Sequence, residues 1–129
     1  MSKLLRLALV ADAVATTATA LLLIVFSVPF ESLLGLPASF SHAIGIGLLP
    51  YAAIVAYLGT RPQVSRTAVW AVIGCNVFWV IDSGLLLIGN WIDPTPLGIA
   101  FVIAQAIAVA GFADAQFLGL RRSANAAVA

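Results

Sequence analysis

Three carboxyls interrupt otherwise apolar stretches of the chain: Asp12, Asp82 and Asp114. Each costs roughly 2.5–3.5 kcal/mol to place in hydrocarbon, so none should face lipid, and each is a candidate for a proton relay, a ligand contact or a bond between helices. At about 1.5 Å of rise per residue, Asp12 lies about 9 Å from Arg6 and Asp114 about 10 Å from Arg121, which gives the two acids a common depth. On neighbouring helices they could share a proton; alternatively each snorkels toward the nearby arginines. Asp82 stands about 24 Å from Arg66, and Gln105, about 24 Å from Arg121, is level with it on an antiparallel neighbour. A carboxyl-to-amide bond between them would serve as structural glue, or mark a substrate or proton site. Thr16, Tyr51 and Asn76 each stand about 15 Å from the nearest flanking arginine and form a mid-depth polar belt beside Pro50. Such a belt reads as helix glue or as a small cavity lined by Thr16, Tyr51, Asn76 and Asp82.

Other chemistries lack their residues. His42 is the single histidine and Cys75 the single cysteine, so neither a two-histidine haem site nor a paired-cysteine metal site can be assembled. Ser83 adjoins Asp82, but no nucleophile, base and orienter can be assembled with the single histidine placed in the outer leaflet, near the mouth of the second span. No Gly-rich phosphate loop or HExxH motif is present. The expectation is a non-enzymatic protein with no catalytic residue, metal or cofactor, with Cys75 a buried small residue.

The elements that must position these residues follow from composition. The chain has 129 residues, 63% of them hydrophobic and 9% charged, with a mean hydropathy of +1.13. So few charges cannot coat a water-soluble globule, and a net charge of +1 supplies no field for nucleic acid. Four apolar segments, about 7–28, 42–60, 68–89 and 97–120, are each long enough for a hydrocarbon core of about 30 Å. They predict an all-α, up-down-up-down transmembrane four-helix bundle in a single domain over 1–129, the first and last helices being ring neighbours. The first span follows Lys3 and Arg6 as a secretory signal would, but exceeds the usual signal core of about 7–15 residues. Between the first two spans, Phe30, Leu33 and Leu34 share a helical face and predict a short interfacial helix before Gly35 and Pro37, with Ser39 or Ser41 as cap of the next span. Pro50 should kink the second span where neighbours cover the freed carbonyl. Asn90 to Pro96 read as a turn, and the tail RRSANAAVA as a frayed end.

Lys3, Arg6, Arg61, Arg66, Arg121 and Arg122 all fall on one side of this topology, and the opposite connections carry only Glu31 and Asp93. The positive-inside rule then puts both termini in the cytoplasm, with Tyr57 and Trp70 near one interface and Trp91 near the other. Gly111, Ala115 and Gly119 form a small-residue stripe on the last span, and Ala8, Thr16 and Ala20 one on the first, suited to close helix approach or to a homodimer.

A basic start, LLGLPA after the first span, GxGLLPYAA around Pro50 and AVWAVxxxNxxWVxDSxLLL in the third span resemble small four-span inner-membrane proteins of bacteria that carry no assigned activity. The resemblance covers almost the whole chain. It implies a cytoplasmic-membrane address and a four-helix architecture, and lends no substrate or catalytic residue. The glutamate of small multidrug exporters and the asparagine and phenylalanine motifs of fluoride channels are absent. Three functions follow as expectations: association with membrane partners or binding of an apolar ligand such as lipid or quinone; a small transporter or proton-coupled channel using Asp12, Asp82 and Asp114; or an accessory subunit of a larger membrane complex. The bilayer is the expected partner in each, with a homo-oligomer or a membrane complex beside it.

Overall fold

A computed structural model describes residues 2–89 and 91–124, with side chains through Arg122. The described residues form five helices, α1 (Lys3–Val25), α2 (Ser27–Leu34), α3 (Ala38–Thr60), α4 (Arg66–Ile88) and α5 (Pro96–Ala124). Four of them, α1, α3, α4 and α5, are long and apolar enough to cross a membrane, so the protein is an all-α, multi-pass membrane protein. The ends differ from the sequence expectation by a few residues. α1 begins at Lys3 because Ser2 caps it, its hydroxyl accepting from the Leu5 amide at 3.1 Å. It stops at Val25 because Phe26 leaves helical geometry before α2 starts. Arg121 and Arg122 belong to the last turn of α5; Asn90 and the tail from 125 onward lie outside the described residues.

α2 is the expected short helix, and it closes one end of the bundle. Gly35 ends it at φ 74°, a left-handed conformation, and a side chain there would also strike the Asp93 and Thr95 backbone. Neither Ser39 nor Ser41 caps α3; both lie within its first turn. Glu31 reaches back instead and accepts from the Ala38 amide at 2.6 Å, placing a carboxylate at the positive end of the helix dipole. Thr95 accepts from the Gly98 amide at 3.0 Å to cap α5 and donates to the Leu33 carbonyl at 2.8 Å, which joins α5 to α2.

Packing follows the order α3–α1–α5–α4: α1 lies between α3 and α5, and α5 between α1 and α4. Lipid tails are as apolar as leucine, so close packing and hydrogen bonds, not water exclusion, hold such helices together. Glycines make the close approaches. A Cβ on Gly59 would fall 3.1 Å from Leu9 Cβ, one on Gly45 2.8 Å from the Ala20 carbonyl, and one on Gly119 2.6 Å from the Leu5 backbone. The contiguous core of Leu5, Leu9, Val55, Val69, Val72 and Leu120 occupies the half of the bundle nearest the cations, here called the basic end. α3 and α4, although joined by a short loop, do not pack along each other. Pro50 sits inside α3 on an exposed face, as does Ile46, the residue whose carbonyl loses its donor. The expectation that neighbouring helices cover this position is not met by the protein's own helices.

Candidate functional site

At the inner edge of the core, the four spanning helices are tied together through one carboxyl. Asp12 of α1 is 1% exposed. Its Oδ2 accepts from Asn76 Nδ2 of α4 and Gln116 Nε2 of α5, both at 2.8 Å, and its Oδ1 accepts from the Thr16 hydroxyl at 3.0 Å. Asn76 Nδ2 also donates to Gln116 Oε1 at 3.0 Å, and Tyr51 of α3 donates to Asn76 Oδ1 at 2.9 Å. Every bond to Asp12 is one it accepts, and its donors are neutral amides and a hydroxyl on three helices. An arrangement this complete fixes helix rotation and leaves no oxygen of the carboxyl unmet.

Thr16, Tyr51 and Asn76 are thus brought together, with Asp12 among them. Asp114 is not: contrary to the expectation that no spanning carboxyl faces outward, its side chain is exposed, as is that of Asp82, while Gln116, fully buried, takes the place beside Asp12. Residues two apart lie about 200° apart around a helix, so α5 can present only one of them to α1. Counting depth from flanking cations gives height but no azimuth, so it does not separate Asp114 from Gln116 as the neighbour of Asp12. A signal was available, because Gln116 stands about 8 Å from Arg121, at the height of Asp12, and falls with Gly119 and Leu120 on one helical face. The Gly111, Ala115, Gly119 stripe is split likewise: Gly119 meets Leu5, and nothing lies within 4 Å of a Cβ built on Gly111. Cys75 is exposed, contrary to expectation, because its neighbour Asn76 takes the inward position.

A second network lies toward the other end. Trp79 Nε1 donates to Gln105 Oε1 at 2.6 Å, Gln105 Nε2 donates to the Ser83 hydroxyl at 2.9 Å and to the Val102 carbonyl at 2.8 Å, and Ser83 donates to the Trp79 carbonyl at 2.8 Å. Gln105 does join α4 to α5, but through Trp79 and Ser83. Asp82, one position before Ser83, is exposed and does not bond to it. An indole N–H can only donate, and it takes the amide oxygen; the adjacent hydroxyl and carbonyl take the amide N–H groups.

Beyond the Asp12 tie, α3 and α4 separate and leave two adjoining cavities. The smaller, about 150 Å³, touches Thr16, Tyr51, Asn76 and Cys75. The larger, about 330 Å³, is walled by residues such as Leu23, Ile44, Phe101 and Val102 and touches Ser41, Asp82, Ser83 and Gln105. Thr19, Trp79 and Gln105 border both. Asp82, Leu85 and Trp91 at the rim of the larger one are exposed, so it opens to the surroundings between α3 and α4. Among the described residues, no cluster of His, Cys, Asp and Glu could hold a metal ion.

Comparison of the chain with known protein families, with curated proteins and with solved structures returns no match.

Proposed function

We propose that this is a non-enzymatic membrane protein that binds an apolar, lipid-like ligand, a lipid or a quinone, in the cleft between α3 and α4. The supporting observation is the cavity of about 330 Å³, apolar in most of its wall, open at its rim and furnished with a few convergent polar groups. Binding sites for small molecules commonly have this composition and range over about 300–1,000 Å³. The Asp12 tie joins the four spanning helices on one side of the cleft. Extraction from native membrane followed by mass spectrometry should find a single lipid or quinone species at about one per chain. A mixture of bulk lipids at trace levels would overturn the reading.

The proposed setting is the cytoplasmic membrane of a bacterium with both termini inside, on the strength of six cations at the basic end. The cleft then lies in the outer half of the bilayer. Fusion of a reporter active only in the cytoplasm to the C-terminus should give signal; a silent reporter, with signal from one placed at Asp93, would reverse the orientation.

One observation favours association with a membrane partner as a second reading. Asp114 faces outward within one turn of Gly111, which has open space in front of it. A partner helix approaching Gly111 would remove that carboxyl from acyl chains. If so, Asp114→Leu should change the oligomeric state or the co-purifying partners in mild detergent. An unchanged monomer would leave ligand binding as the sole proposal.

A further inference from the structure

We infer that the ligand of the larger cleft carries a cationic amine, which sits between the Asp82 carboxylate and the Ser41 hydroxyl while an apolar chain fills the remaining space. The inference rests on the reading of this cleft as a ligand site and specifies the chemistry of its occupant.

The polar groups of the cleft divide into committed and uncommitted ones. Gln105 has both N–H groups and its oxygen engaged, Ser83 both donates and accepts, and Thr19 donates to the Ala15 carbonyl at 2.9 Å. Two groups remain besides the Trp91 indole N–H. Ser41 is 1% exposed, lines the cavity, and its Oγ is a buried side-chain atom with no hydrogen-bond partner. A hydroxyl in that position loses its hydration without replacement unless something entering the cavity meets it. Asp82 is the one charged residue among the described residues that line the cavity. It lies within a membrane-spanning helix, where a carboxylate is costly unless a counter-charge is close.

A primary ammonium supplies N–H donors and no acceptor, which matches a carboxylate and a hydroxyl oxygen together. The aromatic rings of Phe40, Trp79, Trp91 and Phe101 also border the space, and ring faces attract a desolvated cation. A quinone offers only carbonyl acceptors. It could take the Ser41 proton but would leave Asp82 unanswered, so within the proposed ligand classes the charge pattern favours the amine. The same chemistry can come from an aminophospholipid of the bilayer or from a free alkylamine.

The test uses the full chain in phosphatidylcholine nanodiscs, with tryptophan fluorescence reporting through Trp79 and Trp91. Dodecylamine should bind saturably, and Asp82→Asn should weaken it by about tenfold or more, since a charge-assisted pair is lost. Dodecanol, with the same chain and no charge, should bind parent and Asp82→Asn alike. Ser41→Ala should weaken dodecylamine several-fold and raise the Tm of the ligand-free protein. Asp82 is exposed and outside the Gln105 network, so Asp82→Asn should fold as the parent does, with a ligand-free Tm at or above the parent's. Equal binding of amine and alcohol, with no effect of Asp82→Asn, would overturn the inference and leave the apolar-ligand reading standing; binding of neither probe, with no co-purifying ligand, would overturn both. Adding phosphatidylethanolamine to the nanodiscs separates the sources. Displacement of dodecylamine supports a bilayer headgroup as the amine, and undiminished binding supports a free one.

Discussion

A carboxyl inside a spanning helix is tolerated when donors held by other helices meet its oxygens, and Asp12 has this from Asn76, Gln116 and Thr16. Asp12→Ala would strand two buried amides, and a loss of about 1–3 kcal/mol in a reversible detergent or SDS unfolding assay is expected. A double-mutant cycle between Asn76→Ala and Gln116→Ala should give a coupling of about 0.5–1.7 kcal/mol, the range of interhelical bonds in membranes. The same cycle between Trp79→Phe and Gln105→Ala should couple, whereas Asp82→Ala and Gln105→Ala should be additive. Coupling in the last pair would restore the carboxyl-to-amide bond that depth alone suggested. At this scale the heights of Thr16, Tyr51 and Asn76 were legible, because helical rise is fixed. Their partners were less so. Depth does not separate Asp114 from Gln116, about 200° apart on α5, and the face that Gln116 shares with Gly119 and Leu120 is a weaker signal than the charge of Asp114.

Among the elements, spans were legible from hydropathy, and their caps less so. The α3 start shows why: two serines stood at plausible positions, yet Glu31, seven residues before Ala38, does the capping through a contact between α2 and α3. Small residues on α1 and α5 were visible as stripes, but only the structure separates those that touch a neighbour from those that do not. Gly119→Val should therefore push α5 from α1 and cost about 1–3 kcal/mol, as overpacking does, whereas Gly111→Val should stay within about 0.5 kcal/mol of the parent. Comparable losses in the two variants would mean that the Gly111 face is also covered, by a second copy or another chain. The separation of α3 from α4 was not legible, because a short loop suggests adjacency and side chains such as Tyr51 can span a gap that backbones do not close.

For the whole molecule, the two ends of the bundle do different work. The basic end concentrates the apolar core and the Asp12 tie, and the cations there interact locally: Arg66 donates to the Leu120 carbonyl at 3.4 Å, and Arg121 lies over the Phe117 ring. At the other end α3 and α4 flank a cavity whose committed polar groups, Gln105, Ser83 and Thr19, bond within the wall, and whose uncommitted ones are Ser41, Asp82 and the Trp91 indole N–H. The proposed ligand would sit in this open half. Native mass spectrometry of the chain released from its own membrane, compared with Val102→Trp, in which an indole fills the cleft from α5, tests this most directly. The parent should carry one apolar adduct per chain that the variant has lost while remaining folded; a parent with no adduct, or an adduct retained equally by Val102→Trp, would contradict it.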